Sequence, residues 1–102
     1  MMSKLLQVDF DFSGPFGEEM SRALQGLAES INNEPGLIWK IWTESAANKL
    51  GGGIYLFEDE TSASAYLTMH TARLQAMGIT EVRGIIFDIN TPLSLINKAP
   101  IA

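Results

Sequence analysis

His70 is the chain's one histidine and its only side chain with an ordinary pKa near neutrality. At helical spacing it falls between Tyr66/Leu67 and Leu74 on an apolar stripe, so its ring turns inward. A group so placed can act as a general base, pass a proton or hydrogen-bond a ligand. It can equally be a histidine satisfied within a core. Tyr66 lies one helical turn before it, which brings both tips to similar depth. Trp39 and Trp42 are three apart on one strand-like run and so project to opposite faces, one toward a cavity and one away. Tyr55 and Phe57 share a face of the next run. Aromatic walls around one imidazole suit a flat ring held by stacking and shape. The expected pocket holds His70 as candidate general base, with Trp39, Tyr55, Phe57, Tyr66, Leu67, Met69 and Leu74 as candidate lining.

Other chemistries lack their residues. Cysteine is absent, which removes disulfides, thiolate metal sites and cysteine nucleophiles together. One histidine excludes a multi-histidine metal centre within the chain. Asp9 and Asp11 share a strand face but have no further oxygen ligands at a recognisable spacing, so no metal site is expected. Gly51-Gly52-Gly53 precedes a strand, where a phosphate loop would open a helix with Gly-Lys-Ser/Thr. No serine stands in G-x-S-x-G. Seven basic against twelve acidic residues give a net charge of −5, the wrong sign for holding nucleic acid. No apolar run approaches a membrane span and no signal-peptide core is present, so a cytoplasmic protein is expected.

The elements that must position these residues follow from periodicity. At 102 residues the chain is expected to form one domain, residues 1–102. Residues 4–12 (KLLQVDFDF) alternate with period two and predict a strand. Met20, Ala23, Leu24, Leu27, Ala28 and Ile31 form an apolar stripe that predicts a helix over 17–33, stopped by Asn32–Gly36. Residues 37–44 and 51–58 predict two strands joined as a hairpin through 45–50. A second helix is expected over 61–77, capped by Asp59 or Thr61 and ended by Gly78. Residues 79–90 predict a fourth strand, and 91–102 a short extra strand or arm.

The order β-α-β-β-α-β is the ferredoxin-like α+β arrangement, a four-stranded antiparallel sheet with both helices on one face. Leu6, Val8 and Phe10 would face the helices. The opposite face then carries Leu5, Gln7, Asp9, Asp11 and part of the set Trp39, Trp42, Tyr55, Phe57, Ile85 and Phe87. So much apolar area on an open face predicts a homodimer that pairs two sheets.

The segments EPGLIWKIWTE (34–44), GGIYLFEDETSASAYL (52–67) and HTARLQAMGI (70–79) resemble the YdhR-type mono-oxygenase family over essentially the whole chain. The pattern Pro35-Gly36-x-x-x-Lys40-x-Trp42, followed by a strand ending Phe57-Glu58-Asp59, is shared with the wider dimeric α+β barrel proteins. These include antibiotic-biosynthesis mono-oxygenases and heme-degrading enzymes. The resemblance implies a dimeric barrel with a pocket in each protomer between sheet and helices. It also implies oxygenation of a small aromatic, phenolic compound with no metal, heme or flavin cofactor. A phenolate would itself pass an electron to O₂ while the protein stabilises the anion. Under this resemblance Gln7, on the first strand, joins His70 as a polar candidate. Two other readings share the scaffold: a non-catalytic small-molecule binding module, and heme binding or degradation with His70 on the iron.

Overall fold

The computed structural model describes residues 2–101. Its elements run β1 (Lys4–Asp11), α1 (Gly17–Ala23), α2 (Gln25–Ile31), β2 (Leu37–Ser45), β3 (Leu50–Phe57), α3 (Glu60–Ala76), β4 (Val82–Asp88) and α4 (Thr91–Ile96). The sheet is open and antiparallel throughout, in the order β2-β3-β1-β4. That is the ferredoxin-like α+β fold expected from the sequence. No helix among the described residues is long and apolar enough to cross a membrane.

Register decides which side chains share a face. Leu6 pairs with Tyr55 and Ile86, and Tyr55 pairs with Lys40, so all four lie under the helices. Leu6, Val8, Tyr55 and Phe57 are almost fully buried there, with Ile31, Ala63, Tyr66 and Leu74 supplied by the helices. The other face carries the rows Trp39–Leu56–Leu5–Phe87 and Ile41–Ile54–Gln7–Ile85. Toward one end it turns polar, where Arg83 bridges Asp9 and Asp11. Ile41, Ile85 and Phe87 remain 52%, 53% and 40% exposed.

Three local features differ from the expectations. The first helix is two short ones, because Leu24 leaves helical geometry at φ −108°, ψ 11°. Gly26 sits in the next turn and weakens helix there. Both neighbouring hydrogen bonds survive, from Leu24 N–H to the Met20 carbonyl and from Ala28 N–H to the Leu24 carbonyl. The second difference is a register shift between Leu37 and Trp39. It sets Leu37 under the helices and Trp39 on the open face, which plain alternation would not allow. The third is the tail, which is helical at its start, not a strand. Asn90 caps α4 by accepting from Leu93 N–H at 3.2 Å. Beyond α4, the Pro100 carbonyl accepts from Trp39 Nε1 at 2.9 Å.

Candidate active site

Between the sheet and the helices lies a cavity of about 170 Å³. Its floor is Val8 and Phe10 of β1, Lys40 and Trp42 of β2 and Tyr55 of β3. Met20 and Ala23 of α1, Leu24 at the break and Leu27 of α2 close one side, and His70 and Leu74 of α3 the other. The break at Leu24 therefore falls at the cavity wall. A void of this size lined by apolar side chains takes a single aromatic ring, as benzene fills an engineered void of about 150 Å³.

α3 carries the polar wall. Asp59 starts the helix by accepting from Ser62 N–H at 2.7 Å, and Ala63, Tyr66, His70 and Leu74 follow as its buried stripe. Tyr66 stacks on His70 with ring centroids 5.0 Å apart and tilts against Tyr55 at 4.9 Å. Its hydroxyl donates to Tyr55 Oη at 3.2 Å and accepts from Arg73 Nη2 at 3.4 Å. Burial raises the pKa of both phenols, that of Tyr55 far above the usual tyrosine range, so both stay neutral.

His70 is 4% exposed. Arg73 Nε and Nη2 lie 3.3 and 2.9 Å from its Nδ1. Guanidinium can only donate, so Nδ1 accepts and the ring proton sits on Nε2. Burial, then Arg73 and Lys40, pull the imidazole pKa down to about 3. At neutral pH this histidine is a neutral ring whose free polar group is an N–H.

Lys40 is the group that sequence reasoning missed. Its Nζ lies 3.3 Å from the centroid of the Trp42 ring and 4.7 Å from that of Tyr55. No carboxylate among the described residues pairs with it. Burial, then the Arg73 charge, lowers the amine to about 7. The ring faces serve the ammonium form in place of a counter-ion. Gly53 makes this placement possible, because a Cβ there would lie 2.7 Å from Lys40 Cε. One signal was available: Lys40 stands two residues before Trp42, on the same strand face, across the sheet from the glycine run.

The structure brings His70, Tyr55 and Leu74 of the expected set to the cavity. Tyr66 and Phe57 pack behind its wall, with centroids 5.4 Å apart. Met69 and Leu67 are half-buried beside the core. Leu67 lies over Gly84 of β4, away from the cavity. Trp42, not Trp39, lines the cavity. The register shift in β2 sends Trp39 to the opposite face, and Gln7 points there too, between Ile54 and Ile85. No cluster of three or more histidine, aspartate or glutamate side chains among the described residues is placed to hold a metal ion.

Comparison with known proteins now adds a family. The family described as "Putative mono-oxygenase ydhR" matches residues 5–100. Two solved structures share the fold. One, a structural-genomics protein called YJCS, aligns with a TM-score of 0.61 at 20% identity, covering 88% of this chain and 100% of that one. The other, the NE2512 protein of unknown function from Nitrosomonas europaea, aligns at 0.59 and 17% identity, covering 88% and 91%. No curated protein matches the chain.

Proposed function

This chain belongs to the YdhR mono-oxygenase family, and from that premise we propose that it oxygenates a small, one-ring phenolic compound without a bound cofactor. The observation that carries this reading is the 170 Å³ apolar cavity with an imidazole and an amine at its wall. Its size favours a monocyclic ring. The substrate supplies all four electrons: a phenol and O₂ give a quinone and water, one oxygen atom entering the ring and the other leaving as water. The protein's part is to bind the ring, hold its anion and exclude bulk water. His70 donates from Nε2 toward the developing oxyanion; its Nδ1, engaged by Arg73, is a poor proton acceptor. Heme is disfavoured on the same grounds, since a macrocycle exceeds a one-ring cavity and His70 is held by Arg73.

The reading includes a homodimer through the open sheet face and a cytoplasmic location. Support for the dimer comes from the apolar rows around Ile41, Ile85 and Phe87, which a second sheet would cover.

Oxygen consumption with monocyclic 1,4-dihydroxy-aromatics tests the function, against an enzyme-free autoxidation control. With ¹⁸O₂, one labelled atom should enter the product and one the water. Tight binding of such compounds without enzyme-dependent uptake would replace the oxygenase with a binding module.

A further inference from the structure

Lys40 is an amine in an apolar cavity with nothing acidic beside it. From β2 it meets Trp42, and from β3 Tyr55. α3 offers neutral His70 and, behind it, the Arg73 guanidinium. The cavity-lining residues of α1, α2 and the break between them are Met20, Ala23, Leu24 and Leu27, and those of β1 Val8 and Phe10. None of these six ionises. The nearest carboxylate on the same strand face, Glu44, accepts from Gly17 N–H at 2.8 Å and borders the neighbouring groove instead. The cavity thus contains one basic nitrogen, a second cation behind its wall and no anion. In a chain with net charge −5 that local imbalance is built by placement. Gly53 clears the path for the lysine stem, and two ring faces hold its tip.

We propose that Lys40 takes the hydroxyl proton of the bound aromatic ligand and then holds the resulting phenolate as its counter-ion. The inference rests on the phenolic reading above and assigns it a proton acceptor. The ligand's O–H bond breaks and a third N–H bond forms at the Nζ lone pair, converting amine to ammonium with no change in total charge. Ammonium and phenolate then form a buried pair, the arrangement in which a charge-assisted contact is strongest. The proton returns to water when the cavity empties. A neutral amine suits the first step and an ammonium the second, so one side chain serves both.

The probe is 4-nitrophenol, whose ionised form absorbs in the visible. At one pH unit below its own pKa about a tenth is ionised in water. Bound to the wild-type protein it should be mostly ionised, at least a tenfold gain in ionisation constant. Lys40→Met, which keeps the stem's length in an apolar cavity, should bind the phenol without the visible band. Lys40→Arg should bind the phenolate but accept no proton, so its oxygen uptake should follow the free phenol's own ionisation with pH. Neutral nitrophenol on the wild type, no binding at all, or an unchanged band in Lys40→Met would each overturn the proposal. Oxygen uptake judges the function separately. Wild-type uptake and pH profile in Lys40→Met would remove Lys40 and leave the oxygenase. Lys40-dependent ionisation without uptake by any phenol would do the reverse.

Discussion

Replacing His70 with glutamine should flatten the acid side of the stability profile. His70 has an ordinary pKa of 6.5 and is held near 3 in the fold, by burial first, then by Arg73 and Lys40. A histidine depressed in the folded state contributes stability that is present above the unfolded pKa. That stability is lost as pH falls, because the unfolded chain gains a proton that the folded one refuses. Between about pH 7.5 and about pH 5, linkage gives a loss of about 2 kcal/mol, and the figure barely changes for any folded pKa below about 4. Lys40, lowered from 10.5 to about 7, loses stability with the same sign and mostly above this window. The quantity to measure is therefore the difference between wild type and His70→Gln. Glutamine keeps a carbonyl for Arg73 and cannot titrate. Urea unfolding of both proteins at the two pH values, at one protein concentration, gives it. The wild type should lose about 2 kcal/mol more than the variant over that interval. Parallel profiles would mean that His70 is protonated without penalty. The assignment of its ring proton to Nε2 would fall with that result.

Three further outcomes follow from the packing. Gly53→Ala should fold with a urea midpoint near wild type while displacing the Lys40 tip, since the added Cβ would meet Lys40 Cε at 2.7 Å; bound 4-nitrophenol should then shift toward the Lys40→Met spectrum. Asp59→Ala removes the cap of α3 and should lower the midpoint at neutral pH. Because the Ser62 hydrogen bonds hold the Asp59 carboxyl below its usual pKa, that deficit should shrink as pH falls through the carboxylate range, which acid urea titrations check. Ile85→Glu places a charge in the exposed apolar row; sedimentation should show the wild type near twice its 11.2 kDa mass and the variant as a folded monomer, and a monomeric wild type would remove the sheet-to-sheet dimer.

The strands and the long helix were legible because each buries one face and so carries a period. β1 alternates Leu6, Val8, Phe10 against Gln7, Asp9, Asp11, and α3 repeats Ala63, Tyr66, His70, Leu74. What escaped was set by contacts between segments. Period alone cannot foresee a break at Leu24, where both flanking turns keep their stripe. Nor can it place Trp39, whose face depends on a register shift against β3. The site suffered most from this: one irregular residue in β2 exchanged the tryptophan expected at the cavity.

Lys40 escaped for a different reason. A lysine in a strand is read as solvated, because burying an unpaired charge is normally prohibitive. Here three local circumstances lift that objection together. Gly53 leaves space along the stem, Trp42 and Tyr55 offer ring faces to the ammonium, and the low pKa lets the group shed its charge when the cavity is empty. None of the three is visible at position 40 alone. The first two belong to neighbours across the strand pair or two residues along it, and the third to burial and to Arg73 on α3, which is why the same register that hides Trp39 reveals the amine. An uncompensated basic nitrogen of this kind is not explained by stability, since methionine would fill the space without desolvating a charge. The simplest physical reason to keep it is a ligand that brings the missing acid.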